Sequence, residues 1–289
     1  MNAESLSGTF SYTDNNYNFT GNKLSYFVTS VSNDKPDQGY ENTILSSGVR
    51  TSFEQYKDVY LNLGLSASYD DLRAQGSASD TLKKQAGEFA ELAASYGFIT
   101  DKRDRAFMPT SGYISSFDQK LPIYADKKSI TNTVTLSSYK LLTEDVVTAS
   151  KFYLSAINGI DDEDVRLNER RYLSSNRLRG FERGKVGPVD GNDHVGGNYA
   201  AAINFEANFP NFLPDSSKAE VGTFIDIANV WGVDYDNTID ETNTLRSSAG
   251  VSLGWVSPVG PMSFILSTNL KKADTDVTES FTFNLGTTF

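Results

Sequence analysis

The strongest constraint in this sequence is an alternation of period two that returns from one end of the chain to the other. Val59, Leu61, Leu63, Leu65, Ala67 and Tyr69 share one face of an extended segment, with Tyr60, Asn62, Gly64, Ser66 and Ser68 on the other. Gly197, Tyr199, Ala201, Ile203, Phe205, Ala207 and Phe209 alternate in the same way with Asn198, Ala200, Ala202, Asn204, Glu206 and Asn208. Leu245, Ala249, Val251, Leu253 and Trp255 stand opposite Arg246, Ser248, Gly250, Ser252 and Gly254. Met262, Phe264, Leu266 and Leu270 stand opposite Ser263, Ser267 and Asn269, with Ile265 the exception.

About thirteen strands are predicted on this basis, near 5–13, 22–32, 40–54, 57–71, 86–100, 112–122, 128–142, 145–158, 196–210, 218–231, 244–257, 261–271 and 278–289. Several run well beyond the ~5–6 residues usual in soluble sheets. They match the ~9–11 tilted residues that cross a bilayer, with extensions beyond it. The second face is small, neutral or charged, and never becomes a second apolar face as a β-sandwich core requires. Some connections are tight, such as Asp274-Thr275-Asp276 and the Ser257–Pro261 corner, whereas 72–85, 232–243 and 159–195 are long and polar. Short turns on one rim and long loops on the other belong to transmembrane barrels. The pattern therefore predicts an all-β antiparallel transmembrane β-barrel of about 12–16 strands, in one domain spanning 1–289. Ser79–Gln85 could form a helical turn, too short to change the class.

Composition closes off other classes. With 26 Lys+Arg against 37 Asp+Glu, the net charge is −11, which disfavours a nucleic-acid partner whose phosphates need clustered cations. The absence of cysteine excludes disulfides, thiolate metal sites and a cysteine nucleophile, and a single histidine, His194, argues against a histidine-based triad or multi-histidine metal site. No catalytic residue, metal site or cofactor is predicted. Gly184-Lys185-Val186-Gly187 lacks the spacing and following helix of a phosphate loop. Asp161, Asp162 and Asp164 lack the spacing of a calcium-binding EF-hand loop. His194 reads as a polar loop residue. Trp231, Trp255, Tyr113, Tyr139 and Tyr153 are candidates for interfacial girdles.

The segment 159–195 is far longer than the ~12–15 residues at which a structureless loop is usually functional. Within it, Leu178-Arg179-Gly180-Phe181 joins an apolar, a basic, a small and an aromatic residue in a unit suited to docking. Glycine allows close backbone approach, and a guanidinium can grip a carboxylate with two bonds. Glu206 and Asp226 lie on the polar faces of the next two strands and are the candidate acceptors for Arg179. Arg166 is placed on the exposed approach to the motif. The final strand carries an alternating stripe, Phe281, Phe283 and Leu285, ending in Phe289.

Leu178-Arg179-Gly180-Phe181 resembles the [V/I/L]RG[F/Y] motif of the bacterial outer-membrane assembly factor (BamA-like, bacterial surface antigen) family. Four further stretches follow in the family's order. Asp101-Lys102-Arg103-Asp104 with Pro109-Thr110-Ser111-Gly112 resembles its D-x-R-D…P-T-x-G hairpin. Gly196-Gly197-Asn198 through Glu206 resembles the strand after the motif loop. Phe224-Ile225-Asp226 through Val230-Trp231 resembles F-x-D-x-G-x-V-W, with Ala228 in place of the glycine. Trp255 through Pro261 resembles the S-P-[IVL]-G-P corner. The resemblance covers roughly 86–289 by motif and the earlier strands by pattern.

That resemblance implies a sixteen-stranded barrel in the bacterial outer membrane, preceded by periplasmic POTRA domains, with the motif loop folded back into the lumen. It implies a non-enzymatic role in inserting client β-barrel proteins into the lipid bilayer, by opening a seam between the first and last strands. It also implies assembly lipoproteins as partners, reached mainly through the POTRA domains. Five strands follow the loop, as in the family, but about eight precede it where eleven are expected. The first strands and the POTRA domains are therefore expected to be missing, with a different strand beside 278–289. Two rival functions stand beside insertion: a passive outer-membrane pore and a soluble β-sheet adhesion module.

Overall fold

A computed structural model describes residues 5–106, 108–210, 212–213, 219–236, 239, 244–257 and 260–286. Thirteen strands form one antiparallel sheet in which every strand pairs with its neighbours in the chain. Eight precede the long loop: β1 (Ser5–Tyr17), β2 (Asn22–Lys35), β3 (Tyr40–Tyr56), β4 (Val59–Ala74), β5 (Gly87–Asp101), β6 (Gly112–Ala125), β7 (Ser129–Thr143) and β8 (Val146–Gly159). Inside the loop, β9 (Val189–Asp190) and β10 (Asp193–His194) make a separate two-stranded hairpin. After it come β11 (Tyr199–Phe209), β12 (Ala219–Trp231), β13 (Arg246–Ser257), β14 (Gly260–Lys271) and β15 (Phe281–Leu285). All thirteen predicted strands are present, and a single helical turn, α1 (Asp80–Lys83), lies within Ser79–Gln85. Among the described residues, no ladder joins β1 to β15.

The alternation sorts the two faces. Ile203 and Phe205 are 40% and 50% exposed, while Asn204 between them is 3% exposed. Leu63, Leu65, Val251 and Leu266 also point outward, and the polar residues between them point in. Apolar side chains repeated outward strand after strand would be an aggregation liability in water and are the normal surface of a barrel in lipid. Phe281, Phe283 and Leu285 continue the outward row on β15; Phe289 lies outside the described residues.

The long loop shows which way the sheet curls. Its residues bond to β4 through Arg166–Asp70, to the β2–β3 turn through Lys185–Asp37, and to β12 through Arg179–Asp226. A segment that touches strands near both ends of one sheet must lie in the hollow of that sheet. Two apolar clusters hold it there. One joins Leu178, Phe181 and Val186 to the small wall residues Ala200, Ala202 and Ala228. The other joins Leu167 and Val195 to Leu72, Leu82 and Val233 beneath the outer loops.

The opposite rim has a hairpin that its sequence explains. In the β5–β6 turn, Asp104 accepts from Thr110 N–H (2.9 Å), Thr110 Oγ1 (2.7 Å) and Ser111 N–H (3.0 Å). Those hydrogen bonds hold the Asp104 carboxyl down at about 2. Gly112 sits at φ +93, where a Cβ would collide with the Lys102 carbonyl, so only glycine closes the turn.

Candidate functional site in the lumen loop

The motif lies across one row of the wall. Strand register aligns Lys151 on β8 with Asn204 on β11, Asp226 on β12, Ser248 on β13 and Asn269 on β14. All five face the lumen at one level, and Arg179 and Gly180 are laid against them. Arg179 Nε donates to Asp226 Oδ2 (2.8 Å), Nη2 to Oδ1 (2.6 Å), and the Arg179 backbone N–H to Oδ2 (3.0 Å). Its Nη1 reaches Glu206 Oε1 at 3.0 Å, and Glu206 is shared with Lys151 Nζ at 2.8 Å. Asn204 Nδ2 supplies a further bond to Asp226 Oδ1 (2.7 Å) and one to the Arg177 carbonyl (2.9 Å). Asp226 is fully buried and Arg179 nearly so. The guanidinium also stacks on the Phe224 ring, 3.7 Å from its centroid.

Each motif residue has a distinct physical job. Leu178 and Phe181 are both 2% exposed and fill the cluster under β8, β11 and β12. Alanines at 200, 202 and 228 leave the room those side chains occupy. Gly180 adopts φ +88, and a Cβ there would stand 3.0 Å from Ser267 Oγ and 3.4 Å from Ser248 Cβ. Its carbonyl accepts from Asn269 Nδ2 (2.8 Å). Arg177 caps Tyr153, with its guanidinium 3.2 Å from the ring centroid.

Two positions depart from the sequence reading. Arg166 is not on an exposed approach. It is 9% exposed, bonded to Asp70 (3.0 Å) and Glu169 (2.9 Å), and stacked over Phe89. A guanidinium leaving a strand end beside a buried carboxylate finds its partner in the lumen, not in solvent. Tyr153 is 9% exposed and faces the lumen, so it is no girdle residue, whereas Tyr113 and Trp255 are 39% and 37% exposed on the outside. His194 is a loop residue, on β10, but a buried one. Its imidazole is pushed below its ordinary range by burial and by the nearby Lys185 charge.

Further anchors were not singled out from sequence. Asp234 accepts from Val165 N–H (2.9 Å), Arg170 Nη2 (2.6 Å) and Asn198 Nδ2 (2.9 Å), tying the β12–β13 connection to both ends of the lumen loop. Arg246 and Asp276 form a fully buried pair at 2.9 Å. A lone arginine on the otherwise small polar face of β13 was the available signal for it. The final strand also begins later than its alternation predicts, at Phe281, because residues 277–279 bond to the lumen loop. Among the described residues, no group of three or more His, Cys, Asp or Glu is placed to hold a metal.

Comparison with known proteins agrees with this geometry. The Omp85 superfamily domain matches residues 1–289. The outer membrane protein assembly factor BamA of Neorickettsia risticii is 26% identical over 263 residues, 89% of this chain and 35% of the relative. BamA of Neisseria meningitidis serogroup B is 26% identical over 336 residues, 98% of this chain and 42% of the relative. The chain thus spans well under half the length of these relatives. BamA from Haemophilus ducreyi lacking POTRA domains 1–3 superposes with a TM-score of 0.86 at 23% identity, covering 99% of this chain and 62% of that structure. A family matched along its whole length, on a sheet whose apolar face points outward and whose loop fills the hollow, settles the affiliation: the chain belongs to the Omp85 superfamily and is an outer-membrane β-barrel.

Proposed function

We propose that residues 1–289 act as the barrel domain of an outer-membrane assembly factor, helping client β-barrel proteins fold and insert into the lipid bilayer. The observation that carries the reading is the seated motif. Arg179 grips Asp226 and Glu206 from a loop that fills the lumen, in a chain whose relatives are named as assembly factors. A loop held by buried charges to β4 and across β8 to β14 stiffens most of the wall. β1, at the edge of the sheet, has both faces largely exposed and carries Leu6, Phe10 and Tyr12 outward. Such an asymmetric wall gives a client strand a pliable side on which to enter. The work is positional, with no covalent bond made or broken. Partners on this reading are outer-membrane lipid and client barrels, with assembly lipoproteins engaged mainly through POTRA domains.

The test places the chain in liposomes and adds a small urea-unfolded outer-membrane barrel. Folding of the client, read by its heat-modifiable migration, should be at least several-fold faster than in empty liposomes. Single-channel conductance is measured on the same preparation. Unassisted client folding beside a steady open conductance would replace the insertion role with that of a passive pore.

A further inference from the structure

β15 pairs with β14 from Phe281↔Leu266 to Leu285↔Met262, and Ser267 N–H still donates to the Ser280 carbonyl (2.9 Å). β14 itself continues to Lys271. In the same register Glu279 would face Thr268, and Val277 would face Leu270. Instead the chain turns away from β14 at this point and pairs with the lumen loop. Glu182 N–H donates to the Val277 carbonyl (2.9 Å), Val277 N–H to the Lys185 carbonyl (3.2 Å) and Glu279 N–H to the Gly180 carbonyl (3.1 Å). Phe181 and Thr278 form an antiparallel bridge in the middle of this ladder.

The turn before it is pinned by charge. Asp276 accepts from Arg246 Nε (2.9 Å) and Nη2 (3.0 Å) and from Ala273 N–H (2.7 Å), while Arg246 Nη1 donates to Asn229 Oδ1 (2.6 Å). Both charged side chains are fully buried. In that register the backbone groups that would serve β14 are those of Thr278, opposite Asn269, while the N–H groups of Val277 and Glu279 lie on the other edge. With 277–279 drawn onto the loop, Thr278 bridges Phe181 and makes no backbone bond to Asn269. The segment therefore has two possible courses, and the buried pair selects one.

We propose that the Arg246–Asp276 pair and the 180–185/277–279 ladder form a latch through which the seated lumen loop sets the length of the final strand. While the loop is seated, that strand starts at Phe281. When the latch opens, 277–280 pair along β14 and the strand gains those four residues. The side chains weigh against the longer form, because it carries Glu279 onto the outward face shared by Phe281 and Phe283. The consequence for client entry rests on the proposed insertion role, but the latch itself is a property of this chain alone.

The chain contains no cysteine, so paired cysteines report the two states directly. Lys185→Cys with Val277→Cys spans the ladder, and Thr268→Cys with Glu279→Cys spans the alternative pairing. In membranes under mild oxidation, the first pair should link at least tenfold faster than the second. Adding Asp276→Asn should slow the first and speed the second, each by several-fold. Asn269→Ala, which removes only the bond to the Gly180 carbonyl, should move both in the same direction by less, and it covers the case in which Asp276→Asn does not fold. Three results would overturn the latch: equal rates for the two pairs in the otherwise unsubstituted chain, rates unmoved in the folded variants, or loss of the first link without gain of the second. The readout contains no client, so an inactive chain with the expected links would sink the insertion role and leave the latch standing.

Discussion

Replacing Arg179 by alanine tests the seated loop most directly. The side chain makes two bonds to a fully buried carboxylate and one to Glu206, and it covers the Phe224 ring. Exposed ion pairs contribute only ~0.2–1 kcal/mol. Removing one partner of a buried pair costs ~3–5 kcal/mol because the other charge is stranded. Here Asp226 keeps the Arg179 backbone N–H and Asn204, so the lower part of that range applies. About 3 kcal/mol corresponds to roughly a hundredfold rise in the population of the unseated tip. Arg166–Asp70 and Arg170–Asp234 still hold the first half of the loop, so opening should be confined to the tip. Limited trypsin digestion of the folded barrel reads this at Arg177 and Lys185, which should be cut roughly a hundred times faster than in the parent. Arg179→Lys should also open the tip, since an ammonium cannot form the two-pronged contact. Arg183→Ala, at an exposed loop position, is the control. Cleavage no faster in Arg179→Ala than in Arg183→Ala would refute the anchoring argument. So would an Arg179→Ala/Asp226→Ala cycle with no coupling energy.

Three other outcomes follow from the same structure. An arginine at outward-facing Ile203 should cost ~2–4 kcal/mol if the site is near the bilayer midplane, and spin labels at Ile203 and Asn204 should report lipid and polar surroundings respectively; equal wetness at both would contradict the face assignment. Gly112→Ala should impair closure of the β5–β6 hairpin, at ~1–3 kcal/mol for the left-handed backbone alone, measured as a lower urea midpoint for refolding into vesicles. Burial alone would raise the Asp234 carboxyl, but the Val165 N–H, the Arg170 charge and Asn198 outweigh it and hold it below its ordinary range. Its contribution is therefore complete above the unfolded value of ~3.9 and is lost as pH falls through the lower folded value. Loop protection should hold at neutral pH and weaken only in stronger acid, and Asp234→Asn should flatten that acid dependence.

What could be read in the sequence depended on whether a residue's position had a period. The strands were legible because lipid on one side and a crowded polar lumen on the other impose strict alternation. Asp226 and Glu206 were legible as inward residues for the same reason. Tyr153 could have been placed correctly by parity, since Lys151 and Ser155 share its face. Arg166 could not, because charges in a loop have no period and their partners lie far away in the chain: Asp70 is on β4. The late start of β15 was equally hidden. The strand was expected from 278, but alternation describes which way side chains point and is silent about which edge their backbone groups serve.

A charged anchor suits this site because the wall is repetitive. The lumen faces of β11 to β14 are mostly small and polar, so an apolar loop tip would find many nearly equivalent seats along them. Asp226 removes that degeneracy. A slip of one residue along β12 would present Ile225 or Ile227, which point to the other face. A slip of two would present Phe224 or Ala228, neither of which can accept a hydrogen bond through its side chain. Either slip would leave a fully buried carboxylate and a nearly buried guanidinium without each other, a penalty far larger than the small differences between apolar seats. Gly180 sharpens the choice, since its backbone stands at φ +88, where a side chain is strained, and a Cβ there would press to 3.0 Å from Ser267 Oγ. The loop tip is thus held in one register by penalties against its neighbours. The ladder to 277–279 carries that register on to the first residue of the last strand.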